Sequence, residues 1–322
     1  MWQVIGHEWA VDLLQRALAR ERIAHAYLFT GLPQIGKRSL ALNLAQALNC
    51  LDREKPCGQC VACRKIARGT HPDVQVIEGE GGAIKIDQMR KLQHEASLSP
   101  VEGRWKVYII RQMEQATAEA ANCLLKTLEE PPPHVVLVLT ASETEALLPT
   151  IVSRCQVFHL RPLAIATVQR ALQERWGVDV EQAQLLARLS EGRLGWAVAA
   201  SQDKAILEQR EKHLDDMLEL IGKGRVERLE YAQRLSRDPE AIREALHLWL
   251  TWWRDLLLLL SESSVGITNV DWYKTLQTQA QRYSLSQVRS FIEAIRAAMW
   301  RLEHNANARL TLEVLMLDLP TK

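Results

Sequence analysis

Residues 26–50 read AYLFTGLPQIGKRSLALNLAQALNC, and this stretch decides the fold. The apolar run Ala26 to Thr30 predicts a buried strand, and the spacing of Leu40, Leu44 and Leu48 predicts a helix. Between them, Gly31-Leu32-Pro33-Gln34-Ile35-Gly36-Lys37 fits the pattern G-x-x-x-x-G-K. In that pattern the glycines let backbone amides wrap phosphates, the lysine reaches the terminal ones, and the helix N-terminus favours an anion. Gly31, Gly36 and Lys37 are therefore the candidate phosphate-binding residues. The next residue should carry a hydroxyl for magnesium, and here it is Arg38. Ser39 lies about 100° further round the helix, so it is a poor substitute. The second metal ligand should be a carboxylate at the end of a later strand. The candidate strand Lys106 to Ile110 instead runs into Arg111-Gln112. Both departures fall on the same ion, so the expectation is a phosphate-binding fold that has lost hydrolysis, leaving ATP binding itself in question.

Working outward, further strand candidates lie at Val74 to Glu78, Val135 to Thr140 and Gln156 to Leu160, separated by segments of helical period. That alternation predicts an α/β domain with a covered parallel sheet over residues 1–163. Strand signals then stop. Short amphipathic helices over 164–205, broken at Gly192 and Gly195, predict a small helical lid, and residues 206–322 read as an all-α domain. Trp249, Trp252 and Trp253 share one helix face and are expected to build core or an oligomer interface. Leu310, Leu312, Val314, Leu315 and Leu317 predict a final buried helix.

With 322 residues and a formal charge of +1, nothing demands a nucleic-acid or membrane surface over the whole molecule. The first residues carry neither a basic leader nor a signal-type apolar run, and the greasiest segment, Leu256 to Leu260, is too short to span a bilayer, so a cytoplasmic location is expected. Six cysteines would be reduced there. Cys50, Cys57, Cys60 and Cys63 form C-x6-C-x2-C-x2-C, with Gly58 easing the tight turn, and four thiolates at that spacing predict a closed, structural zinc site in a module at 50–63. A zinc-dependent nucleic-acid-binding module is the sharper alternative, but few basic residues and no aromatics interleave the ligands. Cys123 and Cys155 read as core thiols.

Residues 120–132, AANCLLKTLEEPP, followed by an apolar strand and Ser153-Arg154-Cys155, resemble the bacterial DNA polymerase III clamp-loader subunits of the AAA+ family. Val4-Ile5-Gly6-His7, His71-Pro72-Asp73 and the four-cysteine insert after the phosphate-loop helix strengthen the likeness over about residues 1–163. The family has an ATP-hydrolysing gamma/tau branch and a non-hydrolysing delta-prime branch that share the zinc module, and the missing metal ligands favour the second. The resemblance implies a ring that loads a sliding clamp on primer-template DNA, with gamma/tau and delta subunits as partners and residues 206–322 as collar. It also implies that Arg154 is an arginine finger reaching a neighbour's ATP site in trans. The alternative is an active gamma/tau-like ATPase recruiting Glu114 or Ser39. Thr140 lies where relatives sense the γ-phosphate, and Trp196 where they carry a lid arginine; Thr140 is expected to make only strand-end hydrogen bonds. Glu129-Glu130 is expected simply to end a helix before Pro131, and His7, His25 and His71 to be structural or surface residues.

Overall fold

Strands β1 (Ala26–Thr30), β2 (Val74–Ile77), β3 (Lys106–Ile110), β4 (Val135–Ala141) and β5 (Gln156–His159) form one parallel sheet of order β2-β3-β4-β1-β5. They lie where the apolar runs predicted them, with slightly shifted ends. The computed structural model describes residues 2–263, 265–304 and 306–320. The chain divides into two units, Met1–Ala171 with Gly192–Trp196, and Leu172–Glu191 with Ala197–Lys322.

In the first unit, side chains alternate across the sheet as strand geometry requires. Tyr27, Phe29, Val107, Ile109, Val136 and Val138 pack on one face with α1 (Glu8–Ala19) and α2 (Lys37–Asn49). Leu28, Tyr108, Ile110, Leu137 and Leu139 pack on the other, where Met89, Leu92, Leu124 and Leu128 also lie. The short α3 (Val61–Ala67) precedes β2, while α4 (Ile86–Ala96), α5 (Ala118–Glu129) and α6 (Pro149–Val152) follow β2, β3 and β4. Because β1 lies between β4 and β5, with Leu28 opposite both Leu139 and Val157, the loop after it opens beside the ends of its neighbours. Ligands of open parallel sheets bind at such carboxyl ends.

Helix α7 (Ile165–Trp176) leaves the sheet region, followed by α8 (Val180–Leu189) and α9 (Leu194–Gln202). Gly195 is not the expected break: it lies in the first turn of α9. The second unit continues with α10 (Lys204–Gly222), α11 (Arg225–Leu235), α12 (Pro239–Leu260), α13 (Tyr273–Ala280), α14 (Leu285–Glu303) and α15 (Ala308–Asp318). Trp249, Trp252 and Trp253 are all 0% exposed, so the tryptophan face is core and offers no interface. The final helix corrects the sequence reading in the other direction. Leu312 and Leu315 are buried, whereas Leu310, Val314 and Leu317 form an exposed stripe. The helical run is also interrupted after α12, where buried Asp255 accepts hydrogen bonds from the Thr268 and Asn269 amides and holds a loop in place. Buried Arg228 donates to the Leu220, Ile221 and Leu319 carbonyls, satisfying acceptors left open at the ends of α10 and α15.

Candidate functional site

The loop from β1 into α2 is held from several sides. The Gly31 amide donates to Ser142 O at 3.0 Å, and a Cβ at Gly31 (φ +139°) would stand 2.4 Å from Leu160 O, so only glycine fits. Gly36 (φ +115°) caps α2. Buried His7 donates from Nε2 to Ile35 O at 3.0 Å. Burial lowers its pKa, so it serves as a neutral imidazole bracing the loop. From the other side Gly195 N donates to Gln34 O at 2.9 Å, and a Cβ there would meet that oxygen at 2.6 Å, which explains a glycine inside α9. A cleft of about 420 Å³ lies alongside His7, Trp9, Arg161, Leu163 and Thr167.

Lys37 does not extend from this loop. Its Nζ donates to the carbonyls of Gly31 and, at 3.1 Å, Leu32. Burial pushes the ammonium down to about 8; Glu114 opposes the shift and Arg111 adds to it. Arg38 and Ser39 are exposed on α2. Arg111, where a magnesium carboxylate would stand, forms an ion pair with Glu78. Glu114 accepts from Ser142 N at 3.1 Å with one carboxylate oxygen, and the other is buried without a partner among the described residues. Thr140 Oγ1 accepts from Gln112 N at 3.1 Å, the strand-end bond expected of it.

The four cysteines converge at the far end of α2. Cys50 caps that helix, Cys60 caps α3, and the sulfurs of Cys50, Cys57, Cys60 and Cys63 all lie within 4.8 Å of one another, so they could hold a metal ion. Four thiolates at 2.3 Å from one zinc would lie about 3.8 Å apart. Backbone amides already point at the sulfurs: Cys57 N to Cys50 Sγ at 3.4 Å, Cys60 N to Cys57 Sγ at 3.3 Å and Cys63 N to Cys60 Sγ at 3.4 Å. Donors so placed stabilise thiolate charge. Buried polar side chains of α2 tie the module down. Gln46 donates to Cys63 O, Asn43 donates to Gln46, and Asn49 Oδ1 accepts from Arg104 N and Trp105 N. Elsewhere, Cys123 donates to Gln93 Oε1, and burial pushes the Cys155 thiol up to about 12.

His71-Pro72-Asp73 is structural. The Asp73 carboxylate accepts from the amides of Val101, Glu102 and Gly103 at 2.7, 2.9 and 2.7 Å. Burial alone would raise its pKa, but these amides and His71 hold it below the usual carboxylate value. A depressed folded pKa contributes stability that is present above the unfolded value and lost as pH falls through the folded one. Asp73→Asn is therefore expected to cost about 2 kcal/mol at pH 7, with the difference shrinking in acid. Urea unfolding at neutral pH and near pH 3 checks this, and a pH-independent difference would exclude the ionised clamp.

Arg154 lies between α6 and β5, far in sequence from the loop. Nη1 donates to Thr150 O at 2.9 Å and Nη2 to Glu129 Oε1 at 2.8 Å.

A family model described as "DNA polymerase III, delta subunit" matches residues 6–164, and one described as "DNA polymerase III, delta subunit, C terminal" matches residues 204–321. DNA polymerase III subunit delta' of Bacillus subtilis is 31% identical over 96% of this chain and 94% of its own length. The chain belongs to the DNA polymerase III delta-prime family. The tau subunit of Escherichia coli is 38% identical over 63% of this chain, but the match spans only 32% of that protein. A solved gamma-subunit-related protein of Thermotoga maritima covers 94% of this chain and 97% of its own at 21% identity, with a TM-score of 0.47.

For a delta-prime family member the fold class is as the sequence led one to expect: a parallel-sheet α/β domain with a cysteine module, then helices. Among the described residues, no helix is long and apolar enough to cross a membrane. The structure brings Gly31, Gly36 and Lys37 together in one loop and the four cysteines together, while the described partners of Arg154, Thr150 and Glu129, belong to neither group. Sequence reasoning did not find the bracing role of His7 or the Glu129–Arg154 pair. The first had a faint signal in its place within Val4-Ile5-Gly6-His7. The second had none beyond the two motifs themselves.

Proposed function

We propose that this chain is a non-hydrolysing delta-prime subunit of a bacterial replicative clamp loader. It acts with gamma/tau and delta subunits to place a sliding clamp on primed DNA, and lends Arg154 to a neighbouring ATPase site. One observation carries the loss of hydrolysis: Arg38 and Arg111, the latter paired with Glu78, occupy the positions of the magnesium ligands. A nucleotide's metal would find no oxygen ligand at either position. Arg154 has a planar guanidinium on an exposed turn, the group that stabilises charge on a transferred phosphoryl. Zinc, held by Cys50, Cys57, Cys60 and Cys63, would close a four-thiolate site with no open position, and so would be structural. Residues 164–205 are assigned as lid and 206–322 as collar, the exposed stripe of α15 being surface suited to assembly.

The isolated protein is expected to hydrolyse no more ATP, with magnesium and primed DNA present, than a Lys37→Ala control. Arg38→Thr alone should not restore turnover, because Arg111 still replaces the carboxylate. Magnesium-dependent hydrolysis abolished by Lys37→Ala would overturn the reading in favour of a gamma/tau-like ATPase. The unpartnered oxygen of Glu114, whose charge acts on Lys37, is the group such an enzyme would recruit.

A further inference from the structure

Glu129 is the last residue of α5, where a carboxylate is poorly placed, because the C-terminal end of a helix carries partial negative charge and favours cations. Arg154 compensates it. The guanidinium bonds Glu129 on α5 through Nη2 and the Thr150 carbonyl on α6 through Nη1. Two bonds from different nitrogens to different helices fix the plane of a rigid group that has five N–H donors, and leave donors over for another acceptor. The pair stays open to solvent, with the arginine side chain 34% and the glutamate 51% exposed. Such pairs add little to stability, while an unheld arginine at the surface samples many rotamers.

We propose that Glu129 is a positioning residue for Arg154, holding the guanidinium plane in the orientation that meets the γ-phosphoryl group of the neighbouring subunit. The inference rests on the reading of Arg154 as a finger in trans. Glu129 touches no nucleotide and acts only through the arginine. The guanidinium brings its positive charge with or without the carboxylate. What the carboxylate supplies is the orientation of that charge before the subunits close.

The test uses the complex reconstituted with gamma/tau and delta subunits, clamp and primed DNA, carrying wild-type chain, Glu129→Ala, Glu129→Gln, Arg154→Ala, or both alanines. Glu129→Ala is expected to lower kcat for ATP about tenfold, as loss of orientation does, with KM and the melting temperature of the free subunit nearly unchanged. Glu129→Gln should retain most activity, because its amide oxygen accepts the same hydrogen bond. The double variant should match Arg154→Ala alone. If Arg154→Ala disables the complex and Glu129→Ala does not, positioning is refuted and the finger stands. If Arg154→Ala has no effect, the finger reading fails and takes the proposal with it. Faster turnover with Glu129→Ala would make the carboxylate a restraint, and additive losses in the double variant would make it merely structural; either overturns the inference.

Discussion

Arg154→Ala is expected to leave the subunit folded and the complex assembled, yet to reduce ATP turnover at the site it serves by about 10³-fold or more, the range of a finger supplied across an interface. The asymmetry follows from exposure and geometry. The side chain is a third exposed, and its only described partners are a carboxylate that is itself half exposed and a carbonyl at the edge of α6. Truncation should therefore change stability by no more than about 1 kcal/mol. Arg154→Lys should rescue poorly, since an ammonium keeps the charge but loses the planar fork. The measurement is DNA-stimulated ATPase and clamp loading by reconstituted complex at equal subunit occupancy. Unchanged loading with the alanine variant would leave Arg154 as a helix-end contact and nothing more.

The second large effect is expected at the cysteine module. The purified protein should carry about one zinc, as a four-thiolate site requires. Cys60→Ser should then destabilise the first unit by more than about 3 kcal/mol, a fraction of the roughly 10–16 kcal/mol with which structural zinc folds isolated fingers. The damage should travel along α2. Gln46 holds the Cys63 carbonyl, and Asn49, next to Cys50, holds the amides of Arg104 and Trp105. Hydrogen exchange at those two amides should therefore quicken in the variant or under strong chelation, while assembled complex that survives keeps its ATP chemistry. Metal analysis without zinc after anaerobic preparation would reject the site. Loss of DNA binding with stability intact would move the module to the nucleic-acid reading.

The sheet was legible because central parallel strands are apolar on both faces, and runs such as Val135 to Leu139 have few other interpretations. The cysteine cluster was legible because ligand spacing is a local property. Burial was harder, since period alone does not say which side of a helix meets a partner. The tryptophans of α12 could be core or interface on the same pattern, and became core because Tyr231, Trp272 and Phe291 pack against Trp249, Trp252 and Trp253. The stripe of Leu310, Val314 and Leu317 followed the same rule to the opposite result. Pairings between distant segments, Asp73 with the amides of Val101 to Gly103 or Glu129 with Arg154, leave no periodic trace and needed coordinates.

The packing around Gly31 separates shape from chemistry in this loop. Its hydrogen atom faces the Leu160 carbonyl so closely that any side chain would push β1 away from the segment following β5, whether or not a phosphate ever arrives. Gly36 likewise starts the helix whose other end carries Cys50. These two glycines are thus scaffold requirements of the bend itself. The glycines of the signature therefore report how the chain must turn between β1 and α2, and the chemistry of the loop is to be sought in its side chains, Lys37 and Arg38.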